Sequence, residues 1–139
     1  MSSSNDVSGE SGEAVESERV YAVRVTGPAR AEIDQAHQRF ADYAGEQVAN
    51  DWEEGLYEAV RTLSYMPRKH ALVPESAFFS YEVRSLLYRR RNASSAYRVY
   101  FTVRETADDG PVVDLFHVRH ASRQPLTRDE ANSLEEGEA

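Results

Sequence analysis

Residues 81–123 read YEVRSLLYRRRNASSAYRVYFTVRETADDGPVVDLFHVRHASR, and this stretch decides the fold. Between Tyr97 and Arg104 the alternation is clean: Tyr97, Val99, Phe101 and Val103 fall on one phase, and Arg98, Tyr100, Thr102 and Arg104 on the other. Alternation with period 2 marks a strand with one buried face. A preceding strand over about 81–88 is joined to it by the polar RRRNASSA. A following strand over about 112–119 comes after ETADDGP, where Asp109-Gly110-Pro111 signals a turn. Three strands on short connections form a meander whose apolar face needs a cover. Its other face carries arginines.

The cover lies upstream. Val20–Thr26 alternates Tyr21, Val23 and Val25 against Ala22, Arg24 and Thr26, a strand that should join the same sheet. Thr26-Gly27-Pro28 stops it and starts a helix, with Thr26 as cap and the proline in a first turn, where amides have no helical partner. That helix, about 28–43, carries a stripe of Ala29, Ile33, Ala36, Phe40 and Ala44. After Gly45 a second helix, about 46–65, carries Val48, Trp52, Leu56, Ala59, Val60 and Leu63 and ends at Met66-Pro67. Both stripes have the i, i+3/i+4 spacing of amphipathic helices, and so tight a connection makes them an antiparallel hairpin. Trp52 reads as the hairpin's core anchor. Asp51, Glu53, Glu54 and Glu58 scatter around the second helix and read as a solvated face, not a metal site.

Residues 67–80 read as a loop in which Phe78 and Phe79 tuck under the sheet edge. At the other end, Thr127 and Glu130 form a capping box opening a short terminal helix that Leu126, Ala131 and Leu134 support only weakly. The chain thus divides into an acidic tail (1–19) expected to be disordered, one domain (20–126), and a short acidic C-terminal helix or tail (127–139). The expected fold class is α+β and two-layered. An N-terminal strand and a helical hairpin pack on a mainly antiparallel four-stranded sheet.

Composition narrows the function. The chain has 139 residues and no cysteine, which excludes disulfides and thiolate metal sites and fits a reducing, cytoplasmic setting. No apolar run approaches a membrane span, and the N-terminal residues lack the basic and apolar blocks of a secretory signal. The net charge of −8 is unevenly spread: residues 28–66 set three arginines against eight acids, whereas residues 67–126 set ten basic groups against six acids. A basic sheet beside an acidic hairpin suits an acidic partner, although an ordinary solvated surface accounts for the same division.

Three motifs in order, YAVRVTGPARAEI, then VRSLLY followed by AYRVYFTV, then VVDLFHVRHASR, resemble the RelE/ParE superfamily of type II toxin–antitoxin toxins over about residues 20–126. The resemblance implies a small cytoplasmic bacterial toxin of the plasmid-stabilisation kind. A cognate antitoxin would fold across its sheet and helices. RelE-like members cleave mRNA on the ribosome, whereas ParE-like members act on DNA gyrase and lack the nuclease residues. Neither implies a cofactor or a metal.

Metal-independent RNA cleavage needs activation of the 2′-hydroxyl, charge neutralisation at the phosphate and an acid for the leaving oxygen. By the resemblance, Arg98 matches a phosphate-binding arginine and Arg84 a basic position of the preceding strand. Glu82 stands where a second basic residue is expected, and the late tyrosine is absent, since the last tyrosine is Tyr100. His117 or His120 can substitute as an acid or base. The nuclease set, Arg98, Arg84 and His120, is therefore incomplete, which favours ParE-like binding and inhibition of a target such as gyrase. A RelE-like ribosome-dependent nuclease and an inactive member that keeps only antitoxin binding are the alternatives. For antitoxin or target binding the candidates are Arg84, Arg98, Arg119 and Arg123, with the basic turn Arg89, Arg90 and Arg91. Arg84 and Arg98 are expected to project from one face of the sheet, opposite the hairpin.

Overall fold

The computed structural model describes residues 19–138 apart from 92, 94, 107 and 109. The expected disorder of 1–18, and the Asn92 and Asp109 of the two expected connections, lie outside the described residues. Strand β1 (Ala22–Val25) leads into helices α1 (Gly27–Ala44) and α2 (Glu46–Arg61). Strands β2 (Arg84–Tyr88), β3 (Tyr97–Thr106) and β4 (Gly110–His120) and helix α3 (Arg128–Glu138) follow. The sheet order is β1-β4-β3-β2, with β1 parallel to β4 and the other pairs antiparallel. The expected α+β class, with a helical hairpin on a mainly antiparallel four-stranded sheet, is the one observed.

Local chemistry sets the element ends. The Thr26 hydroxyl oxygen accepts from the Ala29 amide, and Pro28 sits in the first turn of α1. Gly45, at φ 99°, closes α1 and opens α2, a conformation that side chains rarely adopt. Helix α2 stops at Arg61, four residues before the expected end. A 3-10 turn (Thr62–Ser64) follows, and Met66 takes φ 49° ahead of Pro67. Proline disfavours the right-handed helical conformation for its predecessor, and the chain leaves the helix before reaching it.

The hairpin buries Ala29, Ile33, Ala36, Trp52, Leu56 and Val60 against Tyr97, Val99, Phe101, Val113, Leu115 and Val118 of the sheet, and Ala49 of α2 is buried as well. Ala49, not Val48, completes the α2 stripe. Gly55 is where α2 meets β2: a Cβ there would land on the Tyr88 hydroxyl oxygen and 3.1 Å from Cζ. Alanine normally adds about 1 kcal/mol to a helix over glycine, whereas forcing a packed ring aside costs about 1–3 kcal/mol. Gly55→Ala is therefore expected to lower the chemical-denaturation midpoint, and Tyr88→Phe in that background to recover part of the loss. A raised midpoint in the single variant would show that Tyr88 yields freely.

The sheet's other face is covered too, which the two-layer expectation left open. Val73, Phe79, Val83, Tyr100, Phe116, Leu126 and Ala131 form a second, smaller cluster, joined by Phe78, Tyr81 and Leu134. It is built by the 3-10 segment Pro74–Phe78 and by α3, in a region that reads as loop and weak helix in sequence. Among the described residues no helix is long and apolar enough to cross a membrane.

Candidate functional site

Sheet register decides which arginines share a surface. Arg98 lies directly opposite Arg119, and Tyr100 opposite His117. Side chains directly opposite on antiparallel strands share a face. The register shifts at Tyr100/Phe101, so that Tyr100 pairs with His117 but Phe101 with Leu115. This β-bulge lets Phe116 join the second apolar cluster while His117 faces the same way as Tyr100. The face away from the hairpin therefore carries Arg98, Arg119, His117 and Tyr100 together, with α3 beside them.

Arg84 is not on it. Its partner across the ladder is Phe101, which belongs to the hairpin-side core. The guanidinium donates to the carbonyl oxygens of His70 (2.7 Å) and Arg68 (3.3 Å) and pairs with Glu82 at 3.4 Å. The expectation that Arg84 and Arg98 project from one face is thus corrected. Val83, just before β2, belongs to the far cluster and not to the hairpin core, whereas within β2 Leu86 packs on the hairpin side and Leu87, on the opposite phase, is 56% exposed, so apolar type does not mark the buried phase of this strand. His120 is likewise on the hairpin side, edge-on to Tyr97 at 5.2 Å, and its Nδ1 accepts from the Ser122 amide at 3.1 Å. Arg89, Arg90 and Arg91 line a separate cavity against Asp51, Glu54 and Glu58 of α2.

Two carboxylates that the sequence reading did not single out organise the far face. Glu75, 5% exposed, accepts from the Tyr100 hydroxyl (2.9 Å) and the Leu126 amide (3.1 Å), tying the chain before α3 to the sheet. Burial alone would raise its carboxyl. Hydrogen bonds from its own amide, Leu126 and Tyr100, with the charge of Arg98, outweigh that and hold it below the ordinary range. Burial, and then the bond to Glu75, push the Tyr100 hydroxyl up. Glu32 reaches from α1 over the edge of β4, beyond the end of β1: one oxygen accepts from the Val118 amide and the other meets His117 Nδ1, both at 2.8 Å. An ionised carboxylate only accepts, so Nδ1 carries the proton and, in the neutral ring, Nε2 keeps its lone pair.

At the α3 end of this face, Arg119 and Arg123 each stand 3.9 Å from Glu130, at charge-pairing but not hydrogen-bonding distance. Glu130 instead accepts from the Thr127 amide (2.9 Å) in the expected capping box. That bond first, with the charges of Arg119 and Arg123, holds its carboxyl below the usual range. The elements as a whole place carboxylate-oriented His117, buried Arg119, Arg98 and half-exposed Arg123 on one surface. Of the expected site residues, three come together here; Arg84, His120 and the Arg89–Arg91 turn lie elsewhere. The run VVDLFHVRH held a signal for the bulge: apolar residues keep step through Val113 and Leu115, then resume at Val118, one position late. Nothing in the sequence marks Glu32 or Glu75 among the other acids.

The architecture is the RelE/ParE-like fold. Among solved structures, a chain of the "Chromosomal ParDE TA system from P. aeruginosa" is similar, at 17% identity and a TM-score of 0.52, over 73% of this chain and 96% of that one. No family model matches the sequence, and no curated protein matches it.

Proposed function

We propose that this chain is the toxin of a type II toxin–antitoxin pair, acting in the ParE-like manner by binding and inhibiting a cellular target such as DNA gyrase until a cognate antitoxin neutralises it in the cytoplasm. The observation that carries this reading is the likeness to a chain of a ParDE system across nearly all of that chain. The state of the arginines agrees with it. Arg119 is buried and Arg98 acts on Glu75 and Tyr100, so neither lies open in a groove of the kind an RNA strand needs. The antitoxin surface proposed is the far face, where Arg98 and Arg123 can take carboxylates of an acidic segment.

A second reading, ribosome-dependent mRNA cleavage, is favoured by one observation. The Glu32–His117 pair has the geometry of an oriented general base, with Arg98 and Arg119 beside it. An inactive member that keeps only antitoxin binding is the third. Expression of the chain without a partner in bacteria separates them. Growth arrest with loss of DNA supercoiling and intact mRNA is the expected result, and unimpaired growth would favour the inactive reading. Arg98→Ala, with folding checked by circular dichroism, should leave the arrest unchanged while weakening antitoxin binding by about 1–3 kcal/mol. Loss of arrest by orders of magnitude, with wild-type expression yielding cleaved mRNA, would instead identify a nuclease.

A further inference from the structure

Where α1 ends, an aromatic stack leaves the core. Trp52 lies 5.1 Å from both Tyr97 and Phe40, and Tyr43 stacks on Phe40 with ring centroids 5.9 Å apart. The last ring stands in solvent: Tyr43 is 77% exposed, more than any other large apolar side chain among the described residues. A lone exposed ring is ordinary, but this one borders a cavity. Tyr43, half-buried Phe40 and Arg90 line a space of about 250 Å³, which the buried Trp52 and Tyr97 also reach. No acid is among its lining residues. Arg90 also borders the cavity that holds Asp51, Glu54 and Glu58, yet its guanidinium makes no hydrogen bond or ion pair among the described residues.

The space is small for a cofactor-sized ligand and suits a single ring. Its accessible walls ask for an aromatic face against Phe40 and Tyr43 and a negative group on Arg90. The chain itself displays that combination. Tyr43 is the exposed ring. Glu46, three residues on across the Gly45 turn, is an exposed carboxylate that makes no hydrogen bond or ion pair among the described residues. A surface carrying both halves of a contact can meet a copy of itself across a two-fold axis, where each residue touches its complement on the other molecule. We propose that this end of the hairpin is a self-association surface for a second copy of the chain: each Tyr43 enters the other copy's cavity, and each Glu46 pairs with the other copy's Arg90. Aromatic rings and arginines are the residues that dominate interface energetics, and the two symmetric charge pairs fix the orientation. The proposal goes beyond the toxin reading and does not depend on it, since it concerns the isolated chain and not growth arrest.

Sedimentation equilibrium of the full chain tests it. Monomer and dimer should interconvert with a dissociation constant on the order of 100 μM, the weak affinity expected of a contact this small. Tyr43→Ser removes a side chain that stands mostly in solvent, so the fold is kept, and association should weaken by about tenfold or more. Arg90→Glu and Glu46→Arg each set like charges together across the axis and should weaken it by about tenfold. The double variant restores opposite charges in both symmetric contacts and should return to within about threefold of the parent. Circular dichroism checks the fold of each variant. A chain that stays monomeric up to about ten times that concentration would overturn the proposal and leave the surface to a different protein. A Tyr43→Ser variant that associates like the parent, or a double variant that associates no better than the two single ones, would overturn it equally.

Discussion

Trp52→Ala is expected to cost about 3–5 kcal/mol of stability, enough to leave a domain of this size barely folded. Trp52 is 2% exposed and sits at the point where the hairpin meets the sheet. Its ring lies 5.1 Å from both Phe40 of α1 and Tyr97 of β3, and edge-on to the latter. Removing it strips three elements of a shared contact and leaves a cavity that a hairpin held by Gly45 cannot easily close. Its indole Nε1 has no hydrogen-bond partner among the described residues. Trp52→Phe therefore forfeits volume but no hydrogen bond, and should cost only about 1–2 kcal/mol. Urea denaturation of both variants is the measurement. Equal losses for alanine and phenylalanine would mean that ring packing is not what Trp52 contributes.

Glu75→Ala is the second large effect. It leaves the buried Tyr100 hydroxyl and Leu126 amide without their acceptor, at about 1–3 kcal/mol each. The loss falls on one side of the molecule, so the segment after Pro125 should come free before the rest unfolds. Trypsin is expected to cut rapidly after Arg123 and Arg128 in the variant and slowly in the parent. Acid should act the same way. The folded state holds the Glu75 carboxyl below its unfolded value, so its stabilisation is complete above that value, about pH 4.3, and is lost as pH falls from there through the folded one. Glu75→Gln should remove this part of the acid sensitivity while keeping one acceptor oxygen. Unchanged trypsin resistance in Glu75→Ala would show that apolar contacts alone hold α3.

Much of this architecture was legible because two periodicities do not interfere. Period 3.6 stripes through Ile33 and Leu56 and period 2 through Tyr97–Val103 name a hairpin and a strand without ambiguity. Sequence logic weakened where apolar residues fall on both phases of a strand. At β2, Val83 just before the strand and Leu86 within it belong to different cores and Leu87 is exposed, so alternation could not say which way Arg84 points, and the wrong face was expected for it. Residues 67–80 read as loop because Pro67 and Pro74 interrupt any regular period, and α3 as a frayed helix because its apolar groups are few. What fixes them is one buried carboxylate at long range, and no local pattern encodes a contact between residues 75 and 126. The candidate site was half visible: Arg98, Arg119 and Arg123 stood out by type, while Glu32, which orients His117, looks like any acid on a helix.

Glu32 has a consequence for association as well. Beyond the end of β1, the outer edge of β4 would present the Val118 N–H to solvent, an invitation to a strand from another molecule. The Glu32 carboxylate already occupies that N–H, and an incoming backbone would have to displace a charged acceptor with a neutral carbonyl. A single helical side chain thus does the work of a fifth strand at this point, shielding the sheet's most deeply buried strand from edge-to-edge pairing.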